Sequence, residues 1–185
     1  MSGCRRIVAG PGRTAPARRR RVFAAVTVLV ALWGAACSSA PSAGEAIAYE
    51  AVEAATGAPV SLADLRGRPA LLSSWTTWCV PCRVELPRME KLYEARAADG
   101  LQVVVVNIDA PGTDEAAITA FADKLGLTMP RWRDPAGDFT TVFRGFALPM
   151  SVLVDASGEV VHTWHGPMNP ADDDVREVLD GVLAR

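Results

Sequence analysis

Beyond residue 47 the chain predicts one α/β domain, a mixed sheet flanked by helices. Three features carry that expectation. Short apolar runs alternate with helical patterns, two of the runs are continuous enough to be packed on both faces, and an amphipathic helix closes the chain. Residues 49–53 read as an edge strand. Residues 70–75 and 101–107 read as buried strands, because β-branched runs of this length suit a sheet covered on both sides. Between them residues 79–98 have helical spacing, with Leu86, Met89, Tyr93 and Ala97 on one side. Thr113 is placed to cap a helix reaching Leu125, residues 128–133 form a short strand, and residues 138–144 a short helix. Residues 149–155 and 159–164 pair as a hairpin through Ala156, Ser157 and Gly158. In the last helix Asn169 is the cap and Pro170 fits the first turn. Val175, Val178, Leu179, Val182 and Leu183 then repeat at helical intervals, and Asp172, Asp173 and Asp174 suit the positive end.

The length of 185 residues leaves room for one ordinary domain and an appendage, and a composition 50% hydrophobic and 22% charged excludes a disordered chain, a collagen and a polytopic membrane protein. The net charge of -2 hides an asymmetry. Seven of the 19 Lys and Arg precede residue 22, and the first acid is Glu45. A chain cut at Cys37 would carry 12 basic against 21 acidic residues, about -9, so nucleic acid is a poor partner.

The N-terminal arginines precede fifteen residues of low polarity, 22–36, broken only by Thr27. That is a secretory signal pattern. The run falls short of the roughly 20 residues of a spanning helix, although reading on through Ala40 would permit an uncleaved anchor. Gly34, Ala35, Ala36 and Cys37, followed by small residues, resemble a bacterial lipoprotein box with Cys37 as the lipid attachment point. Gly34 departs from the usual Leu. The expected organisation is a signal peptide over 1–36, a tether over 37–47 and a domain over 48–185. The location is extracytoplasmic, attached to the cell membrane by lipid or signal anchor, or secreted.

With the leader removed, the domain keeps two cysteines, Cys79 and Cys82, where a buried strand feeds a helix. A cysteine there meets unsatisfied N–H groups and the positive end of the helix dipole, which favour the thiolate. The geometry suits Cys79 as nucleophile and Cys82, one turn on, as the resolving thiol, with Pro81 where a missing N–H loses nothing. Two other readings stand beside it. An inert disulfide is one, although a loop of two residues gains little chain-entropy stabilisation. Zinc held with His162 and His165 is the other, although residues three apart on a strand point to opposite faces.

Trp75 and Trp78 before Cys79, Val80 and Pro81 between the cysteines, and Glu85 and Pro87 after Cys82 resemble the active-site segment of the thioredoxin superfamily, nearest its exported TlpA/ResA/DsbE branch. Residues 57–69 and 145–155, the latter containing Leu148-Pro149, extend the likeness over nearly all of 49–167. The resemblance implies a thioredoxin-like fold with an extra helix and strand over residues 108–133, and a redox disulfide Cys79-Cys82. It further implies a cis bond at Leu148-Pro149 facing that disulfide and a substrate groove at Trp78, Val80, Pro81, Leu148 and Pro149. Two departures stand out. Ser73 occupies the position of the buried Asp of thioredoxin, and Met150 follows the proline where relatives carry Thr, which should alter the groove wall. Glu85 matches a Glu of this branch and either accepts a proton from the buried thiol or is a solvated helix carboxylate.

The function so implied is extracytoplasmic protein-disulfide oxidoreduction without a cofactor or metal. Exported proteins with cysteines are the clients, such as apocytochrome c in cytochrome c-type biogenesis or copper-site thiols, and a membrane electron donor of the CcdA/DsbD type recycles the enzyme. The alternatives are a disulfide-forming oxidant of DsbE type, a Sco-like copper carrier, or a peroxidase for which Thr76 is spaced correctly but Leu72 stands where Pro is required.

Overall fold

A computed structural model describes residues 47–185. The expected signal peptide, most of the tether and Cys37 lie outside the described residues. The domain contains seven strands and four α-helices: β1 Glu50–Glu53, β2 Pro59–Ser61, β3 Ala70–Trp75, α1 Val80–Arg96, β4 Gln102–Asn107, α2 Glu115–Lys124, β5 Arg131–Arg133, α3 Asp138–Val142, β6 Met150–Val154, β7 Val160–His165 and α4 Asp173–Leu183. The strands form one mixed sheet in the order β2-β1-β5-β4-β3-β6-β7. β3 runs parallel to β4 and antiparallel to β6, so the strand that feeds the cysteines is central.

All six residues of β3 are buried, and five of six in β4. Alternate side chains therefore enter different cores. Leu71, Val103, Val105 and Leu153 pack with Leu86 and Met89 of α1, Ile118 of α2 and Leu179 of α4. Leu72, Val104, Val106 and Val152 pack with Tyr49, Trp132, Phe139 and Phe143. Burying one such side chain is worth roughly 1.5–3 kcal/mol, which is why these runs can only be central strands. Gly100 at φ 91° closes the turn after α1, and Gly158 at φ 91° closes the hairpin turn, both conformations that side chains with a Cβ resist.

Several expected boundaries shift. β1 is not an edge: it pairs with β2 on one side and β5 on the other, and β2, unseen in the sequence, is the edge. Ile47, assigned to the tether, packs against the second core. Asp114, not Thr113, caps α2 by accepting from the Ala116 N–H at 2.9 Å. Asn169 opens a turn in which Asp172 N donates to its carbonyl, and Asp172 is the residue at the start of α4. The strand expected from Thr128 begins at Arg131, because Thr128 N and Met129 N donate to the Glu90 carboxylate and Pro130 has no N–H. Ala97 is exposed, and Leu92 joins Leu86 and Met89 in the core. The extra helix and strand are α2 and β5, inserted so that β5 joins β4 to β1.

Candidate active site

Trp75 ends β3 fully buried, its ring stacked on Phe121 with centroids 5.4 Å apart. Four residues later Cys79 is the N-cap of α1. Its N–H donates to Thr76 O at 3.2 Å, and its sulfur accepts from the Cys82 N–H at 3.2 Å. Pro81 sits in the first turn, where it forfeits no helical bond. The two sulfurs are bonded, with Cα atoms 5.3 Å apart. Cys79 is 4% exposed and lines a cleft, whereas Cys82 is 0% exposed.

A clamp absent from the sequence reading holds the loop before Cys79. Asp109 is 2% exposed, and its carboxylate accepts from Thr77 N at 2.8 Å, Thr77 Oγ1 at 3.1 Å and Asn107 Nδ2 at 2.9 Å. Arg133 Nη1 donates to the Asp109 carbonyl at 2.7 Å while its Nε reaches Glu115 Oε1 at 3.0 Å, so the inserted α2 and β5 are tied to the loop. Arg83 of α1 donates to Thr77 O at 3.1 Å and lies over the Phe121 ring. Polar residues at the carboxyl end of the buried β4 were the available signal, since sites in such sheets gather there.

Glu85 is 1% exposed, which overturns the solvated alternative. Its carboxylate accepts from Met168 N at 2.6 Å, Ser73 Oγ at 2.9 Å and Ser151 Oγ at 3.2 Å. Burial pushes its pKa above the ordinary carboxylate range, against the pull of those three donors. Ser73 and Glu85 are thus one feature: the serine at the position of thioredoxin's aspartate supports a carboxylate supplied by the helix.

The cleft has a volume of about 570 Å³ and is lined by residues 78–81 and 145–148 with Ile108 and Thr140. Trp78 is 66% and Val80 69% exposed, and Pro81 is exposed as well. Leu148-Pro149 is a cis bond, as expected, and Leu148 lies in the cleft wall. Pro149 is buried and outside the lining; its carbonyl accepts from Gly166 N at 2.9 Å. Met150 bears on the groove wall without lining it. It is 0% exposed in the second core, so it supports the wall from behind instead of forming it. His162 lies against Trp164 and His165 against Phe146. Among the described residues no group of three or more His, Cys, Asp or Glu could hold a metal ion.

Two cysteines one helical turn apart, the first opening onto a cleft and the second sealed behind it, can trade a disulfide for a dithiol with another chain. On this sheet order they define a thioredoxin-like thiol-disulfide oxidoreductase with a redox-active disulfide. The family follows from comparison: the Redoxin model matches residues 27–179, and the chain belongs to that family. Thioredoxin-like protein YneN of Bacillus subtilis is 35% identical over 125 residues, 68% of this chain and 72% of the relative. Thiol-disulfide oxidoreductase ResA of Geobacillus kaustophilus is 33% identical over 111 residues, 60% of this chain and 62% of the relative's length. Among solved structures, StoA of Bacillus subtilis superposes with a TM-score of 0.59 at 26% identity, covering 71% of this chain and 96% of that one. A secreted Mycobacterium tuberculosis disulfide oxidoreductase homologous to E. coli DsbE gives 0.57 at 26% identity, covering 74% and 94%.

Proposed function

We propose that the protein works outside the cytoplasmic membrane, attached to it, and reduces disulfides in exported proteins. The observation that carries this reading is the asymmetry of the pair: Cys79 lines the cleft, while Cys82 is 0% exposed beneath it with buried Glu85 one turn further along α1. In the reduced enzyme the Cys79 thiolate, stabilised by the helix N-terminus, attacks one client sulfur; the client S–S bond breaks and its other sulfur leaves as a thiolate. Cys82 then gives its proton to Glu85 and attacks Cys79 Sγ. The mixed disulfide breaks, the client leaves with both electrons as a dithiol, and Cys79 and Cys82 are joined. A raised carboxylate pKa brings Glu85 closer to the thiol in proton affinity, which supports its part in that transfer.

Trp78, Val80, Pro81 and Leu148 serve as the client-binding wall, and Pro149 positions Leu148 from below. A dithiol donor in the membrane, of the CcdA/DsbD type, returns two electrons. The basic and apolar leader ending at Cys37 supports export and lipid or signal-anchor attachment, and the M. tuberculosis neighbour is itself described as secreted. Among the described residues no helix is long and apolar enough to cross a membrane. Apocytochrome c or copper-site thiols suit such a reductant as clients. The test is the equilibrium reduction potential of Cys79/Cys82, together with partner trapping by Cys82→Ser. A reductant lies nearer about -270 mV, the thioredoxin value, and traps exported proteins; a potential near about -120 mV, that of DsbA, would make it an oxidant.

A further inference from the structure

The wall of the Cys79 cleft that ends in Leu148 carries one further large side chain, Phe146, to which the exchange chemistry gives no task. Phe146 is 81% exposed, more than any other large apolar side chain among the described residues. Its ring is nonetheless braced: it stacks on His165 of β7 with centroids 4.0 Å apart and planes 21° from parallel. The segment that carries it, residues 145–148, lines the cleft together with Cys79, Trp78 and Val80. Among the described residues the backbone groups of Phe146, Ala147 and Leu148 have no backbone partner, so an extended chain can pair with them.

Chemistry identifies the occupant. Exchange requires a client sulfur within bonding distance of Cys79 Sγ, so the polypeptide flanking that sulfur lies in the cleft that Cys79 lines. No charged side chain lines it, and the Thr140 hydroxyl and the Trp78 indole N–H are the polar side-chain groups there besides the cysteine. A charged client residue would lose water and find no partner, while an apolar one would bury against rings already exposed. Resting on the oxidoreductase reading, we infer that Phe146, braced by His165, selects clients by anchoring a large apolar or aromatic side chain next to their reacting cysteine.

The test uses two disulfide-bonded peptides that are identical except for Phe or Ser beside one cysteine, with reduced wild-type protein, Phe146→Ser and Phe146→Leu. Wild type should favour the Phe peptide by about tenfold in kcat/KM, mostly through KM, the scale of one aromatic contact plus its buried area. Phe146→Ser should lose that preference and Phe146→Leu keep part of it. Since the side chain is exposed, neither substitution threatens the fold. A wild-type preference retained in Phe146→Ser, or no preference in wild type, overturns the inference alone. Failure of wild type to reduce either peptide overturns the oxidoreductase reading and the inference with it.

Discussion

Replacing Glu85 by Gln isolates the charge of a buried carboxylate from its hydrogen bonds. Gln can turn its oxygen toward Met168 N, 2.6 Å from the present carboxylate, and its amide toward the oxygens of Ser73 and Ser151, so every partner stays satisfied. What disappears is the titration. Burial holds the Glu85 pKa above its unfolded value, so protons favour the fold: the stabilisation is complete below the ordinary carboxylate range and lost as pH rises through the folded pKa. Each pH unit between the two values is worth about 1.4 kcal/mol. Glu85→Gln should therefore match wild type on the acid side, exceed it in urea unfolding at pH 8, and flatten the pH slope. Glu85→Ala behaves differently. The two serines already lie 3.0 Å apart and can satisfy each other, but Met168 N is left unpaired beside a void, costing about 2–4 kcal/mol at every pH. Stopped-flow measurement of mixed-disulfide resolution gives the functional arm, where Glu85→Gln should be slower by about a hundredfold, the lower end for a lost general base. A pH slope equal to wild type would refute the charged, buried Glu85. An unchanged resolution rate would refute its role as proton acceptor.

Asp109→Ala removes the acceptor of Thr77 N, Thr77 Oγ1 and Asn107 Nδ2. Thr77 is half-buried and regains water while Asn107 does not, so about 2–3 kcal/mol should be lost in urea unfolding. The freed loop should also slow Cys79 alkylation at neutral pH, an effect that Asp109→Asn, which keeps one acceptor oxygen, should partly reverse. Asp134→Ala strands the buried Phe139 N–H and the Tyr49 hydroxyl, both bonded to its carboxylate, and should cost about 2–4 kcal/mol in the same assay. Tyr49 itself is pushed far above the usual phenol range, first by burial and then by the Asp134 charge. Its absorbance should not change in an alkaline titration until the fold opens.

Much of this was legible along the chain. The strand that precedes Cys79, the cap-and-turn placement of the two cysteines and the hairpin after Pro149 each follow from a run of adjacent residues, and each is found where expected. The errors have a common form. Residues 49–53 look like an edge because short, half-polar strands usually are, and nothing local announces that β2 will fold back to cover them. Thr113 and Asn169 are good capping residues one and three positions from acids, Asp114 and Asp172, that are placed there instead.

Adjacent residues alone determined that two thiols would meet at a helix start, because spacing within one turn fixes their approach whatever surrounds them. Only the folded sheet decided what the thiols would meet. Asp109 reaches Thr77 across 32 residues, and Glu85 is joined by Ser151 and Met168 from 66 and 83 residues away. Such partners are chosen by which strands lie side by side, a choice made by burying two apolar faces at once. The same burial gave the Glu85 carboxyl its altered affinity for a proton, a property that belongs to its surroundings and not to its place in the chain.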